Sequence, residues 1–490
     1  MNPFLLLLLA VLLIVVFIVL LRTMTFTKTW QPIPAEDSIA VDPSLAAEHL
    51  SKAIQIETVS FKEGQPPASE TLLALHQLLA EMYPLVHKHL ARQMINDYSL
   101  FYTWQGSQPE LPGVLFMAHQ DVVPADPATL DAWTHPPFSG KITEDSVWGR
   151  GTLDIKSQII GTLEAVEELL KAGYQPERTI YLAYGHDEEI GGLQGAAKVA
   201  AYMEAQGIRL EAVLDEGGVV AEGMLPGVDV PLALVGIGEK GYLSLELSVE
   251  AEPGHSSTPP RNTAIGILAR AITRLESNPL PAQLYILQNL FQAAGKQAPF
   301  LYRLVFANLW LTGGIVQRMM AAKGETNALI RTTTAATMIS GGVKDNILPR
   351  EARATVNFRL MPGDTIESIT AVVRRIINDE RVRLPEDLSL AGWDPSPLSP
   401  VDVPAYHLLE KTIRQSFENF PVSPYLMLGA SDARNYHNVC DHVYRFMPLL
   451  MKSEDLKLIH GIDEHINIEG LQKMVQFYAL LMQSWSKAAE

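Results

Sequence analysis

One cysteine, Cys440, stands in 490 residues. That excludes an internal disulfide framework and any cysteine-rich zinc site, and with no pair to oxidise it says nothing about compartment. Basic residues are also in deficit: 38 Lys and Arg face 55 Asp and Glu, for a formal net charge of -17. Nucleic acid needs a basic surface and is excluded as a partner. The charge implies solubility for the body of the chain. No internal repeat is present, and low-complexity sequence is confined to one run near the N-terminus. A basic or glycine-rich phosphate cradle is missing beside the candidate ligands described below, which removes a phosphoesterase.

What is present has the balance of a globular protein, 47% hydrophobic and 19% charged. Its length exceeds what one core organises, so two domains with additions are expected. Phe4 to Leu21 is an unbroken run of Leu, Ile, Val, Ala and Phe, closed by Arg22. About 20 apolar residues cross a bilayer as a helix. The run is long for a cleaved signal and no small-x-small site follows it. Residues 3–22 therefore read as a single-pass membrane anchor, with Asp37–Ser44 as the linker. Arg22 and Lys28 follow the run, which by the positive-inside rule favours a cytoplasmic body.

Three short apolar runs each end in a candidate ligand. Gly113–Ala118 precedes His119, Thr179–Tyr184 precedes Glu188 and Glu189, and Ala212–Leu214 precedes Asp215. Such runs suit strands buried on both faces. Ile159, Ile160, Leu163, Val166, Leu169 and Leu170 recur at helical spacing until Gly173, and Ala196–Ala205 reads as the next helix. Alternating strand and helix predict an α/β catalytic domain, a helix-covered mixed sheet over residues 45–237, with ligands gathered at the strand ends. After Ile237 the texture changes. Tyr242–Val249 and Ala352–Arg359 read as strands, Ala264–Leu275 and Ile366–Ile377 as helices. This predicts an inserted α+β lid over 238–392, with an apolar helical stretch at Ala282–Met320. Residues 393–490 return to the catalytic domain and deliver His460.

Imidazole and carboxylate without thiolate is the ligand set of a hydrolytic zinc site. Asp154 in Gly149–Asp154 completes the set. Five ligands hold two ions if one carboxylate bridges: His119, Asp154 and Asp215 for one, Asp154, Glu189 and His460 for the other. Each set leaves an open position for water. Glu188, beside a ligand yet unable to share its ion easily, is the general acid/base. Asp121 fits the carboxylate that receives the other N–H of His119. Taken singly, such residues are ordinarily structural. Glu167–Glu168 read as a solvated helix face, and His87 and His89 as surface. Their joint placement at strand ends is what carries the metal reading.

His119-Gln120-Asp121, Gly151-Thr152-Leu153-Asp154, Asp187-Glu188-Glu189, Asp215-Glu216-Gly217-Gly218 and Gly254-His255-Ser256-Ser257 together resemble the di-zinc aminoacylase/carboxypeptidase family. That family includes aminoacylase, carboxypeptidase G, the vacuolar Gly-X carboxypeptidase and succinyl-diaminopimelate desuccinylase. Gly185–Glu189, Ile330–Ala335, Ala354–Arg359 and Ile459–Gly461 bring the likeness nearest to the N-fatty-acyl-amino acid synthase/hydrolase branch, over most of the chain after residue 45. The resemblance implies two Zn2+ per chain (Co2+ or Mn2+ as substitutes), with Asp154 bridging and Glu188 as base. It implies that His255 stabilises the oxyanion, supplied by the partner subunit in some dimeric relatives, so that a homodimer is admitted. It implies that Arg359 clamps the substrate carboxylate, with Asn346 and the loop of Gly429, Ala430, Ser431 and Asp432 completing that pocket. Members of the branch are secreted or vacuolar, which places the body on the extracytoplasmic side, against the charge rule. Three positions depart from the branch: Ile155 replaces an acidic residue, Gly429–Asp432 replaces a Gly-Asn-Thr-Asp type, and Asp463 replaces Asn. Relatives often have a cis peptide after the bridging aspartate, which Ile155 does not forbid. The expected activity is cleavage of the amide of an N-acyl amino acid with a free carboxylate. The alternatives are a Gly-X-like carboxypeptidase acting on small peptides and a non-catalytic binding protein.

Overall fold

In the computed structural model, which describes residues 2–34, 39–62, 64–223, 230–295, 298–388 and 391–488, the three ligand-bearing runs are neighbouring parallel strands. Gly113–His119 pairs with Ile180–Gly185 on one side and Leu210–Asp215 on the other. Every side chain of the central strand is buried, because alternate residues enter different cores. Val114, Phe116 and Ala118 pack with Ile160, Leu163, Phe477 and Leu481, from the helices Lys156–Lys171 and Ile468–Trp485. Leu115 and Met117 meet Val199 and Met203 of the helix Ala196–Ala205. Coverage on both faces is why the run is continuously apolar. These strands belong to a ten-stranded mixed sheet, so the expected helix-covered α/β fold is present.

The chain leaves that sheet through Leu232–Glu239 and re-enters it at Val422–Met427, which pairs parallel to the exit strand. Between them lies a separate five-stranded sheet. Its strands Gly241–Glu250 and Glu351–Leu360 are antiparallel, with Leu243 opposite Phe358 and Leu245 opposite Val356. Those side chains meet the helices Ala264–Ser277 and Ile366–Ile377 on one face, which explains the alternating pattern. The second of these helices starts at a capping box between Thr365 and Ser368.

Several local expectations change. The N-terminal helix runs Pro3–Thr25, beyond residue 22. Of the expected linker, residues 37 and 38 lie outside the described residues. Ser44 is already helical, because Asp42 caps the helix Pro43–Ile54. Glu167 is no solvated residue: it is buried and accepts the amide N–H groups of Leu85 and Val86 at 3.2 and 2.9 Å. His87 is half-buried against Tyr102. The apolar stretch is helical, as Tyr285–Ala294, Phe300–Ala307 and Leu309–Ala321. It packs on itself and on Phe26, with Phe291 stacked on Phe306 at 3.7 Å.

Candidate metal centre

Parallel strands place their C-terminal ends on one edge, and here that edge collects His119, the Glu188–Ile190 turn and Asp215. Asp154 arrives from the loop before the helix Lys156–Lys171, through a cis bond to Ile155. Its two oxygens face the two imidazoles: Oδ1 lies 3.0 Å from His119 Nε2 and Oδ2 2.9 Å from His460 Nε2. His460 Nε2 also lies 3.3 Å from Glu189 Oε2. The structure thus brings Asp154 between His119 on one side and Glu189 and His460 on the other, four of the five ligands that the sequence nominates.

Asp215 sits differently. Besides Asp154, the carboxylate set against His119 Nε2 is that of Glu216, at 3.5 Å. Asp215 is buried, and its Oδ2 accepts the amide of Ala433 at 2.8 Å. Among the described residues, the sets compact enough to share one ion are His119, Asp154 and Glu189, and His119, Glu188 and Glu216. Asp121 meets His119 with both its backbone and its side chain, the backbone nearer. Its backbone carbonyl, 2.9 Å from His119 Nδ1, fixes the ring, while its carboxylate lies 3.5 Å away. That carboxylate is taken up by the Ser60 hydroxyl at 2.7 Å and by the amides of Glu188 and Glu189 at 3.0 and 3.2 Å. Asp121 thus positions the acidic turn as well as the histidine.

Two residues not singled out in the sequence tie the halves together. Glu464 is fully buried and Oε1 accepts the amides of Gly151, Leu153 and Asp154 at 3.0, 2.7 and 3.2 Å. Its Oε2 receives Arg150 Nη1 at 2.6 Å, while Arg150 Nη2 donates to the carbonyls of His460 and Gly461 at 3.2 and 3.0 Å. That grip holds His460 at φ 58, a left-handed conformation uncommon for a residue with a Cβ. Arg150 lies within Gly149–Asp154 and Glu464 follows Asp463, but nothing local in the sequence reveals their buried pairing.

Charge shows what the cluster is made for. Burial and the neighbouring acids push the carboxyl of Glu188 well above the carboxylate range, against the pull of His119. Burial and Asp154 raise that of Glu189. Burial, with Asp154, takes Glu216 to about 8, although His119 opposes it. Asp154 moves the other way: burial favours its neutral form, but hydrogen bonds from His119 and His460 outweigh this. Of the buried carboxylate oxygens without a hydrogen-bond partner among the described residues, Glu189 Oε1 and both of Asp432 lie at this edge. Asp432 can enter only because position 192 is glycine, where a Cβ would lie 2.1 Å from its Oδ1. Unpartnered buried carboxylates are costly unless a cation meets them. An oxygen- and imidazole-rich set with this excess of acid fits divalent ions.

The remaining candidates stand apart. A cavity of about 260 Å³ opens on the cluster, lined by Asp154, Glu188, Glu189, Glu216 and His460 and otherwise mainly by apolar side chains. Ala430 lines it, but Gly429 and Ser431 do not. Ser431 is buried and gives its hydroxyl to Glu239 at 3.1 Å, beside the Glu239–Arg445 pair. His255 and Asn346 adjoin on an exposed edge of the inserted unit, where Ser256 N donates to the Asn346 carbonyl at 3.1 Å. Arg359, in the strand Glu351–Leu360, lies over the Tyr242 ring at 4.8 Å. None of these three lines the cavity, and neither does the Ala282–Met320 stretch.

An acidic, histidine-bearing edge on this sheet, with a separate α+β unit inserted, defines a class of metallohydrolase, and the chain belongs to peptidase family M20/M25/M40, whose model matches residues 115–484. It is 41% identical over 445 residues to "Probable carboxypeptidase S-like 2" of Dictyostelium discoideum, covering 90% of this chain and 85% of that one. It is also 41% identical over 442 residues to "N-fatty-acyl-amino acid synthase/hydrolase PM20D1" of Xenopus tropicalis, covering 89% and 85%. In fold it is similar to the M20 family metallo-carboxypeptidase Sso-CP2 of Sulfolobus solfataricus, with a TM-score of 0.63 at 17% identity, over 90% of this chain and 99% of that one.

Proposed function

We propose that this chain is a di-zinc amidohydrolase that cleaves, and in reverse forms, the amide of N-acyl amino acids bearing a free carboxylate. The observation that carries the acyl side is the cavity. Beside its acidic end, Val219, Leu234, Met427, Met447, Leu456 and Ile459 offer an apolar wall for a hydrocarbon chain. The likeness to an N-fatty-acyl-amino acid synthase/hydrolase supports the same reading. Two zinc ions, held by His119 and Asp154 with Asp215 or Glu216, and by Asp154, Glu189 and His460, would acidify water and polarise the amide carbonyl. Glu188 takes the proton of the attacking water and passes it to the departing amine. Asp121 holds Glu188 in place through its amide.

A chain-length series of N-acyl-phenylalanines tests this. Each buried methylene contributes about 0.8 kcal/mol, so kcat/KM should rise about fourfold per methylene until the wall is full. A profile flat or falling beyond acetyl would favour the second reading, a carboxypeptidase of small peptides, which the carboxypeptidase S-like relative supports.

The inserted unit acts as a lid in this reading. His255 meets the oxyanion that develops on the carbonyl, by closure of its own unit or from a second copy. The Thr333–Gly341 strand is an edge of the second sheet, exposed at Met338 and Ile339, and fits such a partner. Arg359 clamps the substrate carboxylate, for which no acidic side chain competes among the described residues. Arg359→Lys should still impair turnover, because an ammonium cannot reproduce the bidentate fork. Esterifying the substrate carboxylate should then harm the wild type badly and the variant little further. Equal harm to both would place the clamp elsewhere. Residues 3–25 form the membrane anchor, with the body on the extracytoplasmic side.

A further inference from the structure

The Pro3–Thr25 helix is long and apolar enough to cross a membrane, and it does not stand alone. Its last two turns are fastened to the corner between the helices Phe300–Ala307 and Leu309–Ala321. Asn308, buried at that corner, donates to the Val19 carbonyl at 3.3 Å and to Thr23 Oγ1 at 3.2 Å. Arg22 Nε donates to the Ala307 carbonyl at 3.1 Å. These contacts set the corner at the level where the apolar run ends. Val19 and Thr23 are four residues apart, about 6 Å along the axis.

From that corner the second helix presents a row of large apolar side chains to solvent. Leu311, Ile315 and Met319 recur at i, i+4 and i+8, and Trp310 lies beside the first of them. They are 58%, 63%, 70% and 57% exposed, and Leu301 of the preceding helix is 67% exposed. The stripe is not left over from an unfilled core, because the same hairpin buries Phe306, Ala307 and Val316 against Phe26 and Phe291. A contiguous apolar face is unusual on a protein that meets only water. Here it continues directly from a helix whose own apolar side chains are exposed along its length.

We propose that the Phe300–Ala321 hairpin is a second membrane-contact element, lying in the bilayer interface beside the N-terminal helix, with phospholipid as its partner. Helices of this kind sink an apolar face about 5–10 Å into the headgroup and acyl boundary. Tryptophan is enriched at that depth, which suits Trp310. The hairpin precedes the strand Thr333–Gly341 of the inserted unit and follows the helix Tyr285–Ala294, whose Tyr285 and Ile286 share a recess with the cavity residue Tyr425. Lipid contact would thus hold the hydrolytic site close to the surface where long-chain acyl compounds partition.

The test uses the full chain in phosphatidylcholine vesicles, with bromines on the upper acyl chain as a contact quencher of tryptophan. Brominated lipid should remove a share of emission of the order of one tryptophan in the seven present, and Trp310→Phe should abolish that share. Leu311→Ser with Ile315→Ser, both at exposed positions, should reduce the quench while leaving the melting temperature unchanged. Bromolipid quenching identical in wild type and Trp310→Phe would overturn the proposal. So would a Met319→Cys disulfide between chains in vesicles, which would give the face to a second copy.

Discussion

Glu188→Gln is expected to lower kcat by about 100- to 10,000-fold, the range that general acid/base catalysis contributes, with bound metal unchanged. Glutamine keeps the length and shape of the side chain and loses the basic oxygen. The turn that carries it is held through backbone amides, Glu188 N and Glu189 N on the Asp121 carboxylate, so the substitution leaves its support intact. Glu189 therefore keeps its place against His460. Metal analysis of the purified variant, beside hydrolysis of an N-acyl amino acid, separates the roles. Wild-type rates would remove Glu188 from the mechanism. A loss of metal parallel to the loss of rate would make it a ligand, as its nearness to His119 and Glu216 allows.

Much of this centre is legible in the sequence, and the part that is not has physical causes. Apolar runs that stop at His119, before Glu188 and at Asp215 announce buried parallel strands, and the fold then brings their ends together without further information. Which of two adjacent acids turns toward a histidine is another matter. Successive side chains at a strand end point to opposite sides, and whether Asp215 or Glu216 faces His119 depends on Ala433, whose amide claims the Asp215 carboxylate. Asp121 lies against His119 as its spacing implies, but with its backbone carbonyl nearer the imidazole than its carboxylate, because backbone and side-chain acceptors two residues away are indistinguishable in a sequence. The Ala282–Met320 stretch was read correctly as helical and apolar. Apolarity names no partner, however, and its helices meet one another, Phe26, the last turns of the N-terminal helix and, through Ile286 and Leu290, the sheet beside the cavity, without lining the cavity itself. His255, Asn346 and Arg359 are named through resemblance, and their place in the inserted unit, Arg359 on the strand Glu351–Leu360 and the other two at the short pairing of Gly254–His255 with Ile347–Leu348, is a property of topology that no local motif contains.

The second large effect is expected at the bridge and at the buried pair that aims it. Asp154→Ala removes the carboxylate that faces both imidazoles, so metal and activity should vanish together. Glu464→Ala should give a graded version of the same loss without touching a ligand. It leaves three amides of the Asp154 loop without their acceptor and strands Arg150, which is buried. Breaking one partner of a buried ion pair costs about 3–5 kcal/mol, so the melting temperature should fall. Residues that orient ligands typically change metal affinity by about 10- to 100-fold, and the His460 side should suffer as well, since Arg150 also holds the His460 carbonyl. Titrating zinc into the metal-free variant, below its melting temperature, distinguishes positioning from mere stability. Weakened binding with activity restored at high zinc is the expected result. Wild-type affinity in a folded but less stable variant would reduce Glu464 to a support of the fold.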